Sequence, residues 1–137
     1  MQQGRTARVT DMMMRLADAD LAEMLHKGYA GDLSEPQFWR FRLAMRALHI
    51  NIEDSYLQHK ASLLGSAAFQ TTERGMLPVY SQPGVRALWQ LTRGNYSPDY
   101  AAYVDRLMKE TATGSGLATH TQWKAELAAI TGAAETA

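Results

Sequence analysis

The 137-residue chain contains no cysteine, which removes disulfides, thiolate zinc sites and cysteine nucleophiles together. It has no net charge, because 14 Lys and Arg balance 14 Asp and Glu. A dedicated nucleic-acid binder carries a cationic surplus to neutralise phosphates, so nucleic acid is not an expected partner. No apolar run approaches the ~20 residues of a membrane-spanning helix, and no signal-peptide pattern opens the chain. Glycine-rich phosphate loops, zinc motifs of the His-x-x-Glu-His type and serine nucleophile elbows are also missing. Hardly any segment alternates apolar and polar residues as a half-buried strand would, and no internal repeat is evident. What is present is a 46% hydrophobic, 20% charged composition at the size of one ordinary domain. At this length roughly two thirds of the extended chain's surface is buried on folding, enough for a core.

The periodicity predicts an all-α fold of five to seven helices around one long central helix. The first helical tract runs from about Thr6 to Lys27, interrupted at Ala17–Asp20, where Asp18 can cap a second short helix carrying Leu21, Met24 and Leu25. Gly28 is the expected C-terminal stop. Ser34-Glu35-Pro36-Gln37 has the spacing of a capping box with proline in the first turn. The helix it starts is expected to reach Leu64 and end at Gly65. At about 100° per residue, Phe38, Phe41, Met45, Leu48, Ile52, Tyr56, His59 and Leu63 form one stripe. Trp39, Leu43, Ile50, Leu57 and Leu64 form a second, roughly 120–140° round the same wheel. Arg40, Asn51, Asp54 and Gln58 fill the remaining wet face. Two apolar stripes imply cover from two directions, either inside the bundle or with one stripe at an oligomer interface.

Ser66 to about Leu77 is the next helix, ended or kinked by Pro78. A turn at Ser81–Gly84 leads to a short helix with Val85, Leu88, Trp89 and Leu91 facing inward, closed by Gly94. Ser97-Pro98-Asp99 combines a cap residue, proline at the first helical position and an acid favoured by the helix dipole. The helix beyond places Tyr100, Tyr103 or Val104, Leu107 and Met108 on one side. The expected organisation is a bundle over residues 1–112, a flexible linker over 113–120 and a last amphipathic helix with tail over 121–137, carrying Trp123, Leu127 and Ile130.

From the long helix onward the order of features resembles a known family. Glu53-Asp54-Ser55-Tyr56-Leu57-Gln58, Leu63-Leu64-Gly65, Pro83-Gly84-Val85-Arg86-Ala87-Leu88-Trp89 and Tyr96-Ser97-Pro98-Asp99-Tyr100 are similar to the ordered pattern of a family of uncharacterised bacterial all-helical proteins. Members read EN-x-Y-x-Q, then G-L-L, PG-x-R-x-W and F-S-P-x-F. The likeness covers roughly Thr6 to Glu110. The chain departs from it with Asp54 in place of Asn, Tyr96 and Tyr100 in place of Phe, and Phe69 in place of Trp. The family has no known activity, so the resemblance imports no catalytic site. Its members commonly begin with an apolar segment that looks membrane-spanning. The resemblance therefore implies either a chain soluble throughout or the soluble portion of a longer protein tethered to the inner membrane. Arg5 and Arg8 favour a cytoplasmic domain in the tethered case.

Four constellations are candidates for chemistry. Glu23 and His26 have the Glu-x-x-His spacing of di-iron bundles, but no second such pair exists, so neither a metal site nor any other cofactor is expected. His49 and Glu53 lie four apart on the long helix and can hydrogen-bond, with Arg42, Arg46 and Lys60 projecting close to Glu53. A carboxylate held by cations is a poorer acid near neutral pH, which favours a structural role for this group over acid–base chemistry. Tyr56, His59, Trp89, Tyr96 and Tyr100 are the candidates for a small-ligand pocket between the long helix and the C-terminal helices. Met12-Met13-Met14 reads as core filling or as an adaptable contact surface. The expected function is a non-enzymatic, self-associating interaction or scaffold domain, a homo-oligomer that can also take another protein partner. The alternatives are a ligand-binding or sensory domain and, last, a metal-dependent enzyme using Glu23, His26, His49 and Glu53.

Overall fold

The structure, a computed structural model, describes residues 2–114 and 119–136. Seven α-helices and one 3-10 turn make up the described residues, with no strand among them: α1 (Gln2–Leu16), α2 (Ala19–Ala30), α3 (Glu35–Lys60), α4 (Ser66–Tyr80), α5 (Pro83–Thr92), the turn Arg93–Asn95, α6 (Pro98–Glu110) and α7 (Thr119–Thr136). Helices α2, α3 and α6 start at the predicted caps. Asp18 accepts from the backbone N–H groups of Asp20 and Leu21. Ser34 and Gln37 form the reciprocal capping box, and the Ser97 hydroxyl accepts from Tyr100 N–H. Among the described residues no helix is long and apolar enough to cross a membrane.

Helix α3 is the axis, with α1, α2, α4 and α6 packed on it and α5 held between α2 and α4. Phe41, Met45, Ile52 and Tyr56 of its first stripe are buried, and Phe38, Leu48 and His59 are half-buried. The helix stops at Lys60, four residues short of the expected end. Ser62 takes a positive φ of 61°, and Leu64 folds back into the core from the loop, leaving Leu63 exposed. Apart from Leu64, the second stripe is left uncovered by the described residues: Trp39, Leu43, Ile50 and Leu57 are 51%, 71%, 48% and 45% exposed. Cover from α1 falls instead on the face expected to be wet. Arg8 pairs with Asp54 at 2.6 Å, and Asn51 reaches Met12 Sδ at 3.4 Å. Of the methionine run, Met12 is half-buried while Met13 and Met14 are exposed, so most of the run does not fill the core.

Two punctuation marks and one apolar side chain act differently from expectation. Gly28 does not end α2; it is buried inside it, and a Cβ there would lie 2.4 Å from Cδ2 of Phe41. The stop is Gly31, at φ +84°, whose N–H bonds back to the Gly28 carbonyl. Pro78 does not end α4, which runs on to Tyr80. An interior proline costs about 3 kcal/mol, and the gain on the far side is Tyr80, a fully buried aromatic worth about as much. Leu91 points outward at 77% exposure, because Leu88 and Trp89 already take the inward face of α5.

Both ends of the expected linker, 113–120, fall within the described residues. Thr113 accepts from Arg86 at 2.9 Å, Gly114 N–H bonds to the Ser81 carbonyl, and Thr119 and His120 are already helical. The rest of that linker, 115–118, lies outside the described residues. In α7, Trp123, Leu127 and Ile130 are exposed.

Candidate functional site

Trp89, Tyr96 and Tyr100 of the aromatic candidates meet at one buried histidine of the polar group. Helix α3 places His49 in the centre of the bundle, the last turn of α4 brings Tyr80, α5 brings Trp89, the chain leading into α6 brings Tyr96, and the first turn of α6 brings Tyr100. The imidazole stacks on Tyr80 (centroids 5.6 Å, planes 7° apart) and on Trp89 (4.8 Å), and it meets Tyr100 edge-on. Its Nδ1 lies 2.9 Å from the Tyr100 hydroxyl, which lies 3.1 Å from the Tyr80 hydroxyl.

The proton order along this chain follows from counting donors. Among the described residues the Tyr80 hydroxyl has one hydrogen-bond partner, Tyr100, and Tyr80 is fully buried. A buried phenol O–H left undonated is costly, so Tyr80 donates to Tyr100 and Tyr100 donates to His49 Nδ1. His49 then carries its proton on Nε2. Burial pushes both phenols well above the usual tyrosine range.

Burial, reinforced by the nearby Arg46 cation, pushes the His49 pKa down from 6.5 to about 4. Between those values the unfolded chain takes up a proton that the folded protein refuses. Stability from this group is therefore fully present above about pH 6.5 and is lost as the pH falls from there to about 4, by about 3 kcal/mol in all. Chemical unfolding at a series of pH values should show this slope in the native sequence. It should be absent in His49→Asn, whose amide oxygen can accept from Tyr100 in place of Nδ1. Parallel profiles for the two proteins would refute the assignment.

The expected His49–Glu53 hydrogen bond does not form, and Glu53 is not held in a cluster with Arg42, Arg46 and Lys60. Glu53 Oε2 instead accepts the Ser97 backbone N–H at 2.8 Å, fastening the start of α6 to α3. Arg46 donates to the Asn95 carbonyl at 3.3 Å and lies over the Tyr96 ring at 4.6 Å. Arg42 lies over Trp39, and Lys60 lies over Tyr56. Local spacing put these cations near Glu53, but the segment after α5 supplied the partners of both Glu53 and Arg46 from a distant part of the chain.

His49, Trp89 and Tyr96 line a cleft of about 370 Å³ with Arg42 and Arg46, floored by apolar side chains of α3 and α5. The other ligand candidates lie elsewhere. Tyr100 sits behind His49, and Tyr56 and His59 line a separate cleft of about 320 Å³ with Glu73, Tyr103 and Arg106. There His59 stacks on Phe69 at 4.4 Å with its Nδ1 3.3 Å from the Leu64 carbonyl, and Tyr103 donates to Glu73 at 2.6 Å. Tyr80, Thr92 and Asn95 were not anticipated as parts of the central group. Tyr80 was legible in principle, since it lies 11 residues after Phe69 and so about 20° from it on the wheel. Glu23 pairs with Lys27 at 3.5 Å beside an exposed His26, and among the described residues no three His, Asp or Glu side chains are grouped to hold a metal.

The chain matches no protein-family model, no curated protein and no solved structure. Any functional reading therefore rests on the geometry of the chain itself.

Proposed function

We propose that the protein is a helical interaction domain that associates with a second copy of itself through the uncovered stripe of α3. The observation that carries this reading is the contrast along a single helix: one stripe is buried by neighbouring helices, while Trp39, Leu43, Ile50 and Leu57 stand about half or more exposed. Leu43, Ile50 and Leu57 recur every seven residues, the repeat that keeps an apolar seam facing a partner helix. A 26-residue helix is about 39 Å long, enough for an extended seam.

Charge favours a copy of the same helix as the occupant. The first half of α3 carries Arg40, Arg42 and Arg46 against Glu35 and is net basic, and the second half carries Glu53 and Asp54 against Lys60 and is net acidic. Two copies running antiparallel about a two-fold axis set basic half against acidic half at both ends. In this reading the domain acts by contact, and the rings around His49 hold the shape of the surface.

Sedimentation over a wide concentration range should give a reversible dimer. Leu43→Glu should weaken it by about 30-fold or more, the effect of losing a central apolar contact of ~2 kcal/mol. Leu43 is exposed in the single chain, so the folded protomer should keep its helicity and melting temperature. A native protein that stays monomeric at every concentration refutes the proposal. So does a dimer that ignores Leu43→Glu and breaks instead on substitution of the exposed Trp123 face of α7.

A further inference from the structure

We propose that the cleft between α3, α5 and the turn at Arg93–Asn95 binds a small organic anion, a carboxylate carried on an aromatic or aliphatic body. Its volume of about 370 Å³ falls at the lower end of the ~300–1,000 Å³ typical of small-molecule sites. The lining contains two guanidinium groups, Arg42 and Arg46, and no carboxylate. Neither arginine is in an ion pair among the described residues. An anion entering the cleft would therefore meet cations without having to displace an acid that already neutralises them.

The arginines are held in place by contacts that leave most of their donors free. Arg46 is fixed by the Asn95 carbonyl and the face of Tyr96, and one guanidinium has five N–H donors in a fork that fits a carboxylate. Arg42 rests on the Trp39 ring at 5.4 Å. Groups already positioned lose little freedom on binding, which favours affinity.

His49 adds a directional donor. It lines the cleft while 4% exposed, and its Nδ1 is occupied by Tyr100. The polar atom it has left is Nε2–H, which has no partner among the described residues. Because burial keeps the ring neutral, this donor persists across the physiological pH range. The walls explain why the anion should carry an apolar body: Trp89, Tyr96, Val85 and Leu88 line the rest of the space. A bare inorganic anion would satisfy the donors and leave these surfaces wet, and a neutral ring would cover the walls and leave the guanidinium groups unpaired.

The test compares probes by titration calorimetry with the full chain. 2-Naphthoate is the anion with an apolar body, 2-naphthalenemethanol is its neutral counterpart, and acetate and inorganic phosphate are the bare anions. Naphthoate should bind saturably at one site per chain, with each of the other three at least about tenfold weaker, since each lacks one of the two contact classes. Arg42→Met and Arg46→Met should each weaken naphthoate by about tenfold or more and leave the neutral alcohol unchanged. Arg106→Met, at the separate Tyr103 cleft, should change nothing. Should Arg46→Met fail to fold, the half-buried Arg42 and the charged-against-neutral comparison still decide. The proposal is overturned if naphthoate shows no saturable binding, if the alcohol or phosphate binds as well, or if the arginine variants bind like the native protein. Leu43 lines this cleft as well as the exposed stripe of α3, and Arg42 rests on Trp39 of that stripe, so the titrations are run at a protein concentration where sedimentation shows a single species.

Discussion

Trp89→Ala is expected to lower the unfolding free energy by about 3–5 kcal/mol, the range for truncating a buried aromatic. Domains of this size are commonly stable by only about 5–15 kcal/mol, so the variant should be marginally folded. Trp89 is 1% exposed and is held from three sides: His49 stacks on one face at 4.8 Å, Tyr96 tilts against it, and Tyr100 meets it edge-on. Its indole N–H donates to Asp105 at 2.8 Å, the same carboxylate that pairs with Arg93. Removing the ring opens a void among aromatic neighbours too rigid to refill it, and takes a hydrogen bond from Asp105. Urea unfolding measures the loss, with Trp123→Ala as the comparison. Trp123 is 59% exposed, and its removal should change stability by no more than about 0.5 kcal/mol. Equal effects from the two tryptophans would mean that α5 is wrongly placed against α3 and α6.

Gly84→Ala should be nearly as damaging, at about 3 kcal/mol, although it adds only one methyl group. A Cβ at Gly84 would lie 1.8 Å from the Gly28 carbonyl oxygen and 3.1 Å from the Gly31 nitrogen. Both atoms are backbone, so no side chain can rotate away. Relief requires α2 and α5 to move apart, which strains the end of α2 where Gly31 N–H bonds to the same Gly28 carbonyl. Gly75→Ala is the control. Gly75 sits within α4, and a methyl group added there would meet nothing within 4 Å. At that position alanine should be neutral or stabilising by roughly 0.5–1 kcal/mol, because it restricts the unfolded chain and suits a helix better. Thermal melts of the two variants give the comparison, and a Gly84→Ala protein as stable as Gly75→Ala would show that the helices do not approach this closely.

Glycine also marks where sequence reading succeeds and fails. The starts of α2, α3 and α6 were legible because a cap and the N–H it bonds lie within three residues of each other, as Asp18, Ser34 and Ser97 show. The end of α2 was not. Gly28 and Gly31 are equally able to stop a helix, and the choice between them is made by Phe41 and Gly84, which need Gly28 inside the helix without a side chain. Likewise Pro78 reads as a break until Tyr80 is seen to be wholly buried beyond it.

The candidate site divides in the same way. His49, Trp89, Tyr96, Arg42 and Arg46 were identifiable by residue type and helical phase, and they do share a cleft. Tyr56, His59 and Tyr100 belong to the same predicted ligand group as Trp89 and Tyr96 alone, but the bundle sends Tyr56 and His59 to a second cleft and seats Tyr100 behind His49. Glu53 was matched with cations on its own helix, whereas its partner is a backbone N–H 44 residues away.

The amino-acid order alone determined the all-helical class, the places where three helices begin and the existence of two apolar stripes on α3, because each depends on residues within a turn or two of one another. Which stripe is covered, which way the His49–Tyr100–Tyr80 protons run and which arginines face a cleft were decided only when distant segments packed together. Burial and the pairing of a buried polar group are properties of the neighbours a residue acquires, and around His49 those neighbours, Tyr80 to Tyr100, come from 31 to 51 residues away.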